Sequence, residues 1–431
     1  MRSLSWARAQ ELSITLVLAL VAPACSSTSP AETPVDSGAA AIDGGPQSDE
    51  ASGGPDVSNG PPETGQLPPV QPAPNASDAN AGDGSDLAPD VSTTDATPAG
   101  GGGKDGAAGP LSPTVLGLMR KAADWQLAAG APAKDWIDGS FWTGVLATYK
   151  STKDAKYLTA INSWAGAGWG LTGGAGARGD NQCPAQTFFE TYLLDPVPAS
   201  MVMLNGAKPS FDALVANTPA GRVEWWWQDA LFMVPPGFAR LGAATGNANY
   251  FATMNAMYCD TYAFLFNTQV GLMYRDNTTR GQYWARGNGW VIAGAARILQ
   301  YLPMNDPKRP DFVTLVQTMA AALTKVQGAD GLWRSNLLNP NQFPNPETSG
   351  TGFFTFGIAW GINSGILDKA TYMPVAQKGW DGLVSHVDAT GKLGYVQPVG
   401  AGPGPAAADS TVAYGVGAFL LAGSEMAKLL P

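Results

Sequence analysis

A short polar turn followed by an aromatic residue recurs along the C-terminal part of this 431-residue chain. The turn precedes Tyr157 and Tyr250 as TKDAKY and TGNANY, and weaker versions precede Phe312 and Tyr372. These aromatic residues lie 93, 62 and 60 residues apart, and the first interval fits two units with an obscured turn at 194–200. Helical apolar periodicity is common between the turns. A repeat of roughly 45–60 residues of this kind predicts helical hairpins packed in series.

Residues 111–431 have room for about six such hairpins, and the terminal units lack the polar capping repeat that an open array needs. Strand signals are sparse. The sequence therefore predicts an all-α fold, an (α/α)6 barrel formed by a closed ring of six hairpins. Glycine- and aromatic-rich stretches between the helices are expected to be loops that gather at the rims and build a pocket. These stretches are 166–179, 284–290, 347–354 and 391–405.

The chain ahead of this domain has a different composition. Residues 26–110 contain no Phe, Trp or Tyr, but 15 Gly, 13 Pro, 13 acidic residues and one basic residue. Such a segment cannot bury enough apolar surface to offset its ordering entropy, so we expect 25–110 to be a disordered acidic tether. The domain at 111–431 has 22 Lys+Arg and 21 Asp+Glu, so the formal charge of −10 belongs to the tether. No nucleic-acid partner is expected.

The first 24 residues have the features of a secretory signal peptide. Arg2 and Arg8 precede an apolar stretch at 12–21, and small residues precede Cys25. The apolar stretch is too short to span a bilayer. Cys25 after small residues resembles a bacterial lipobox, so we expect an exported lipoprotein that reaches the membrane only through a lipid on Cys25. Simple secretion is the alternative.

Histidine and cysteine are scarce. His386 is the only histidine, which excludes histidine-based triads and most transition-metal sites. No Cys/His spacing is typical of zinc. Neither a metal nor another cofactor is expected. The sequence does not reveal whether Cys183 and Cys259 pair, or the oligomeric state.

Two acidic residues lie in unusual surroundings. Asp229 follows three tryptophans in the apolar stretch WWWQDALFM, where desolvation raises a carboxyl pKa towards the range useful for proton transfer. An Asp before an apolar helix is also a common N-cap. Asp180 follows a glycine-rich stretch, and it could likewise be a helix cap or a turn residue. Two acids on pocket loops, with Trp rings that can stack on sugars, suggest an enzyme that acts on glycosides.

Three arginines, Arg275, Arg280 and Arg286, cluster in the aromatic stretch 274–290. The planar guanidinium fork binds carboxylates, so arginine in a pocket loop suits an acidic sugar such as a uronate. The alternative is that these arginines pair with Asp276 on the surface.

Four motifs resemble those of unsaturated rhamnogalacturonyl hydrolases of glycoside hydrolase family 105. They are WQDALFM at 227–233 with two prolines after it, YWARGNGW at 283–290, DGLWR at 330–334 and PETSGTGF at 346–353. The resemblance covers nearly all of 111–431. It implies an (α/α)6 barrel, no metal, and oligosaccharides from polysaccharide lyases as substrates. Their non-reducing end is a 4,5-unsaturated uronic acid, and pectic rhamnogalacturonan is the usual source.

The resemblance also implies a mechanism. An acid protonates C4 of the enol-ether double bond, water adds at C5, and the hemiketal collapses to release the sugar. Asp229 would be the general acid/base and Asp180 its partner carboxylate. Arg275 and Asp276 stand where many family members have a histidine. The residues that would bind the substrate are Arg286, Trp290, Trp142, Phe141, Trp226 and Arg275.

Two other functions are compatible with the sequence. The barrel could hydrolyse saturated glycans, or it could be a surface lipoprotein that binds carbohydrate without turnover. The presence of both acids with the full set of aromatic residues and arginines argues against the second. Fold alone does not decide between them.

Overall fold

The structure, a computed structural model, describes residues 110–431. The predicted signal peptide, Cys25 and the predicted tether as far as residue 109 lie outside the described residues. None of the helices within 110–431 is both long and apolar enough to cross a membrane.

Fifteen α-helices, numbered in chain order, and one small hairpin make up the described part of the chain. The helices are α1 Pro113–Ala129, α2 Trp136–Thr152, α3 Ala155–Ala165, α4 Ala185–Tyr192, α5 Val202–Asn205, α6 Lys208–Ala216, α7 Gly221–Glu224, α8 Ala230–Met233, α9 Pro235–Thr245, α10 Ala248–Leu265, α11 Ala285–Leu299, α12 Arg309–Thr324, α13 Thr348–Asn363, α14 Lys369–Val384 and α15 Ala413–Met426. Short 3₁₀ turns occur at Gly174–Gly176, Gly179–Gln182, Pro198–Met201 and Pro340–Gln342. The antiparallel strands β1 Phe266–Asn267 and β2 Leu272–Met273 pair Phe266 with Met273.

The longer helices alternate between two layers. Helices α2, α4, α9, α11, α13 and α15 are largely buried, and all residues of α11 and α15 are buried. Helices α1, α3, α6, α10, α12 and α14 bury one face and expose the other. Each inner helix packs against the next, and α15 packs back against α2 to close the ring. The predicted (α/α)6 barrel is therefore confirmed.

Glycines let the inner helices touch where the ring closes. A Cβ on Gly144 of α2 would lie 2.7 Å from the carbonyl oxygen of Gly417 on α15. A Cβ on Gly417 would lie 2.7 Å from the Cα of Phe141. Similarly, a Cβ on Gly352 of α13 would lie 2.8 Å from the Cβ of Ala418. Larger residues at these positions would separate the helices.

The recurrent aromatic residues of the sequence mark outer helices. Tyr157, Tyr250, Phe312 and Tyr372 lie in the first turns of α3, α10, α12 and α14. Their helices begin after capping side chains in three cases, at Asp154, Asn247 and Asp368.

The obscured turn is present after α4, but the outer helix that follows it begins later than in the other units. Residues 194–200 include the start of a 3₁₀ turn, and the corresponding outer helix α6 begins only at Lys208, with buried Phe211 in its first turn. The short helix α5 and its flanking turns occupy the residues between, and no helical periodicity of useful length could reveal them.

Two of the four predicted rim loops are wrong. Segments 284–290 and 347–354 are the beginnings of the inner helices α11 and α13. Their glycines serve close packing between the two helices: a Cβ on Gly289 would lie 3.0 Å from the Cβ of Phe353, and one on Gly350 would lie 2.8 Å from the carbonyl carbon of Ala285. Segments 166–179 and 391–405 are irregular, apart from short 3₁₀ turns.

Candidate active site

The inner helices begin around one rim, and the candidate residues lie at these beginnings. Trp136 opens α2, Asp180 precedes α4, Asp229 precedes α8 and α9, Arg286 lies in the first turn of α11, and Tyr414 lies in that of α15. The N-terminal end of a helix carries a partial positive charge and free N–H groups, so this rim favours an anionic ligand.

Asp229 is not used as a helix cap. It occupies the N-cap position of α8, but its backbone is already helical and its side chain accepts no capping hydrogen bond. Its Oδ1 is buried, and no group within residues 110–431 hydrogen-bonds it. Burial raises the pKa of Asp229 to about 7; Arg286 and Arg275 oppose this shift, and Asp180 adds to it. Asp229 is therefore a carboxyl group that holds a proton near neutral pH.

Asp180 lies beside Asp229 in the 3₁₀ turn Gly179–Gln182, and its side chain caps no helix either. Burial raises the pKa of Asp180 to about 6, with a further contribution from the negative charge of Asp135. Gly179 has φ +51°, and a Cβ there would lie 3.0 Å from the ring of Trp227. The Asp180 turn thus packs directly on the segment that carries Asp229.

Arg286 is fully buried between two aromatic rings. Its guanidinium lies 4.4 Å from the ring centre of Trp284 and 4.7 Å from that of Tyr414. Nη1 donates to the carbonyl oxygens of Gln397 at 2.8 Å and Pro398 at 3.2 Å. Nε and Nη2 are buried and have no hydrogen-bond partner within the described residues. This free edge carries two parallel donors, the arrangement that binds a carboxylate through both oxygens.

An aromatic cluster surrounds this arginine. Trp136 stacks on Tyr414 with ring centres 5.4 Å apart and an interplanar angle of 14°. Trp290 is fully buried against Phe353, and its ring is edge-on to Trp136 at 6.4 Å. The Nε1 of Trp290 has no partner among the described residues, so only the N–H of this predicted substrate-binding residue is left for a ligand.

Phe141 and Trp142, predicted to stack on the sugar, lie in the core instead. Phe141 is fully buried beneath Gly417. Trp142 is buried, stacks on Trp164 at 4.8 Å, and donates its Nε1–H to the carbonyl oxygen of Ala131 at 2.9 Å. Neither ring offers a face to a ligand in this structure, because both residues lie more than one turn down α2 from the rim. Trp136, the first residue of this helix, is the aromatic side chain at the rim that is partly exposed.

Trp226 and Arg275 form an outer edge of the site. The Trp226 side chain is 44% exposed, and the Arg275 guanidinium lies 5.5 Å from its ring centre. Arg275 forms an ion pair with Asp276, as in the alternative, but Asp276 is buried and not on the surface, and the charge of Arg275 also acts on Asp229. Arg280 donates to the carbonyl oxygen of Phe264 at 3.3 Å, and its guanidinium lies 5.3 Å from the ring centre of Tyr274.

Four contributors escaped the sequence reasoning: Trp136, Tyr414, Gln397 and Gln228. The Tyr414 hydroxyl donates to the carbonyl oxygen of Gln397, whose side chain accepts the Nε1–H of Trp284 at 2.8 Å. One signal was available for Trp136, since an Asp precedes it at the start of a helix; Asp135 does cap α2.

Cysteine and histidine lie outside this chemistry. Cys183 is buried and free, so it does not pair with Cys259. Burial raises the pKa of the Cys183 thiol. His386 interacts through Nδ1 with the carbonyl oxygen of Gly382 and packs edge-on against Tyr395. Within residues 110–431, no group of three or more His, Cys, Asp or Glu could hold a metal ion.

Comparison with known proteins agrees with this geometry. A family model described as Glycosyl Hydrolase Family 88 matches residues 116–430. The Unsaturated 3S-rhamnoglycuronyl hydrolase of Formosa agariphila is 34% identical over 340 residues, which cover 72% of this chain and 90% of that protein. A protein of the same name from an Alteromonas species is 29% identical and covers 73% of this chain and 86% of its own.

A solved structure titled Glycosyl hydrolase family 88 from Bacteroides vulgatus is 30% identical, with a TM-score of 0.67 over 74% of this chain and 99% of that one. The resemblance to unsaturated uronyl hydrolases found in the motifs is thus confirmed, and the chain belongs to glycosyl hydrolase family 88.

Proposed function

We propose that this protein is a hydrolase that removes a 4,5-unsaturated uronic acid from the non-reducing end of lyase-generated oligosaccharides, with Asp229 as general acid/base. The free Nε/Nη2 edge of Arg286 beside Asp229, whose pKa is about 7, carries this proposal. A carboxylate-binding fork next to a proton donor suits a substrate whose reactive double bond adjoins a carboxylate. The names of the two curated relatives describe the same kind of activity.

Binding would begin with the uronate carboxylate on Arg286. The buried guanidinium is fixed in position because Nη1 donates to two carbonyl oxygens and two rings cover its faces. The helix N-termini around the rim add to the attraction. Trp136 is the aromatic residue of this cluster that is partly exposed, so the flat unsaturated ring would lie against it.

The chemistry would be hydration of a vinyl ether. Protonated Asp229 gives its proton to C4, and the positive charge that develops at C5 is shared with the ring oxygen. Water adds at C5 and loses a proton to the Asp229 carboxylate, so the acid is regenerated. The C5 hemiketal then opens, the bond from C5 to the ring oxygen breaks, and the resulting C1 hemiacetal releases the leaving sugar. Asp180 would keep the pKa of Asp229 high through its negative charge.

The unsaturated ring itself cannot identify the source polysaccharide. Elimination makes C4 and C5 planar, so glucuronyl and galacturonyl units yield the same 4,5-unsaturated ring. Selection must therefore come from the leaving sugar, and rhamnose is the one that the relatives' printed names share with our sequence-based expectation. We therefore propose that the preferred substrate has an unsaturated uronyl–rhamnose linkage. It would come from pectic rhamnogalacturonan or another glycan that contains rhamnose and uronate.

The decisive experiment follows the ultraviolet absorbance of the conjugated carboxylate. Wild-type protein should remove this absorbance from lyase-generated oligosaccharides, and Asp229→Asn should slow the loss by about 10²–10⁴-fold because the proton donor is gone. Asp195→Asn makes the same change on an exposed carboxyl and should have wild-type rates. Full activity of a folded Asp229→Asn variant would overturn the assignment.

Two outcomes would favour the other functions. Release of reducing sugar from saturated glycans, with none from unsaturated ones, would assign the barrel to saturated substrates. Binding of oligosaccharides that survives Asp229→Asn, with no product from any substrate, would indicate a carbohydrate-binding protein.

We also propose that the protein is exported and anchored by a lipid on Cys25, on the basis of residues 1–25 alone. Expression with radiolabelled fatty acid should label the wild type and leave Cys25→Ser unlabelled. Cys25→Ser should also move from the membrane fraction to the soluble one. Equal labelling of both forms would contradict the anchor.

A further inference from the structure

Gln228 is a buried amide that no protein group satisfies. Its side chain has no exposed surface, and neither Oε1 nor Nε2 has a hydrogen-bond partner within residues 110–431. The buried amide of Gln186, in contrast, has partners at both ends: it donates to the carbonyl oxygen of Phe232 at 2.7 Å and accepts from Arg297 at 2.8 Å. A buried polar group without a partner is destabilising, so Gln228 needs an explanation beyond packing.

Gly287, which follows Arg286 in the chain, leaves room for this amide. A Cβ on Gly287 would lie 1.8 Å from the Nε2 of Gln228, so residue 287 has to be glycine while the amide keeps this position. The same Cβ would lie 3.0 Å from the ring of Trp284, and this ring also covers Arg286. Gln228 therefore lies against the first turn of α11, with its amide at the backbone of Gly287, the residue that follows Arg286.

Its location relative to the reacting atoms follows if the proposed function is correct. Arg286 would hold the carboxylate, whose carbon C6 is bonded directly to C5, and Asp229 would face C4. The Gln228 amide lies at Gly287, the residue after Arg286, so it would then lie near C5, the carbon that water attacks. The Asp229 Oδ1 is likewise without a partner among the described residues, so two consecutive residues each present an unsatisfied polar group.

We propose that Gln228 is a further catalytic residue, which holds the water that adds at C5. Oε1 accepts one hydrogen bond from this water and thereby directs an oxygen lone pair at C5. As the bond between oxygen and C5 forms, the second water proton passes to the Asp229 carboxylate, which has already given its own proton to C4. The Nε2 group donates to the newly formed C5 hydroxyl.

The test uses two substitutions of similar size. Gln228→Met removes both polar atoms and should lower kcat by about 10²-fold, with KM changed much less, because only the addition step loses its water. Gln228→Glu keeps an acceptor and should recover part of kcat. Its added negative charge should raise the pKa of Asp229, so the alkaline limb of the pH–rate profile should move to higher pH.

A second measurement reports on the water itself. In buffer that contains methanol, either water or methanol can add to the C5 cation. The ratio of methyl ketal to hydrolysis product therefore measures how firmly the enzyme holds the water. Gln228→Met should raise this ratio several-fold. Gln186→Met removes a satisfied buried amide and should lower the Tm while the product ratio stays at the wild-type value.

The outcomes separate this proposal from the proposed function. A folded Gln228→Met variant with wild-type kcat and product ratio would overturn the role of Gln228, whereas inactivity of the wild type on all unsaturated substrates would overturn the function itself. Should Gln228→Met not fold, Gln228→Glu decides: an unmoved alkaline limb would contradict the location of the amide beside Asp229.

Discussion

At the scale of single residues, the environment gives two neighbouring carboxyl groups different roles. Burial dominates both pKa shifts, to about 7 for Asp229 and about 6 for Asp180. The group with the higher pKa keeps its proton and can act as the acid, while the other is more readily ionised. Because the two charges interact, their protons come off in steps that belong to the pair.

The pH dependence of kcat/KM should therefore be bell-shaped, with its maximum between about pH 6 and 7. Activity should fall as pH rises through the pKa of Asp229, since the acid loses its proton. Asp180→Asn removes a negative charge that disfavours ionisation of Asp229, so the alkaline limb should move to lower pH and kcat/KM should drop. A profile measured from about pH 4 to 9 checks this. An alkaline limb that stays in place would show that Asp180 does not act on Asp229.

How much of this site the sequence could predict depends on the kind of residue. Asp229 could be identified because a carboxyl group among aromatic and apolar neighbours is unusual at the level of local sequence, whereas the roles of Asp180 and Arg286 came from the motifs that resemble a known family. Trp136 and Tyr414 could not be identified, because their contact joins the first and last inner helices, and only ring closure brings them together.

The two tryptophans of α2 show the same limit more directly. Trp136 and Trp142 lie on one helix six residues apart, yet Trp142 packs on Trp164 and Trp136 reaches the rim. The turn before Tyr157 predicts a helix that ends ahead of it, whereas the position of the rim along that helix is a property of the assembled barrel. The glycines at 287, 289 and 350 were taken for loop residues for the same reason: their partners lie on other helices.

At the scale of elements, close contact between inner helices depends on glycine. A Cβ on Gly417 of α15 would lie 2.7 Å from both the Cα of Phe141 and the carbonyl oxygen of Ser140, which are backbone atoms that cannot turn away. Helices α2 and α15 would have to move apart, and this movement would also disturb the stacking of Trp136 on Tyr414.

Gly417→Ala should therefore lower the free energy of unfolding by about 1–3 kcal/mol, as overpacking does. Gly117→Ala on the exposed face of α1, where no atom lies within 4 Å of the new Cβ, should raise it by about 0.5–1 kcal/mol through helix propensity. Chemical denaturation of the two variants measures both effects. If the free energy of unfolding changed by the same amount and in the same direction in both variants, the contact between α2 and α15 at Gly417 would not be tight.

At the scale of the whole molecule, the candidate active site and a stabilising ionic cluster lie at opposite ends of the barrel. The site lies at the N-terminal ends of the inner helices, and an ionic cluster lies towards their C-terminal ends. There Glu190 of α4 accepts from Lys150 at 2.7 Å, Arg240 at 2.7 Å and Arg297 at 3.3 Å. These cations come from α2, α9 and α11, so a single carboxylate joins four of the six inner helices.

Although burial alone would raise it, the pKa of Glu190 is well below the usual value because Arg240, Lys150 and Arg297 surround the carboxylate. A lowered pKa means that the cluster stabilises the fold above the ordinary glutamate pKa, and that this contribution is lost as pH falls through the lower, folded-state pKa. Glu190→Gln leaves buried cations unpaired and should lower the free energy of unfolding by about 3–5 kcal/mol at neutral pH. The substituted protein should also lose less stability on acidification than the wild type.

Because the cluster is remote from the rim, kcat/KM per folded molecule should remain at the wild-type value at a temperature where Glu190→Gln is folded. Thermal unfolding at several pH values, together with kinetics on the same samples, tests the two halves of this prediction. A selective loss of kcat in folded Glu190→Gln would show that the two ends of the barrel are coupled. An unchanged Tm would show instead that the neighbouring helices hold the ring closed without their shared carboxylate.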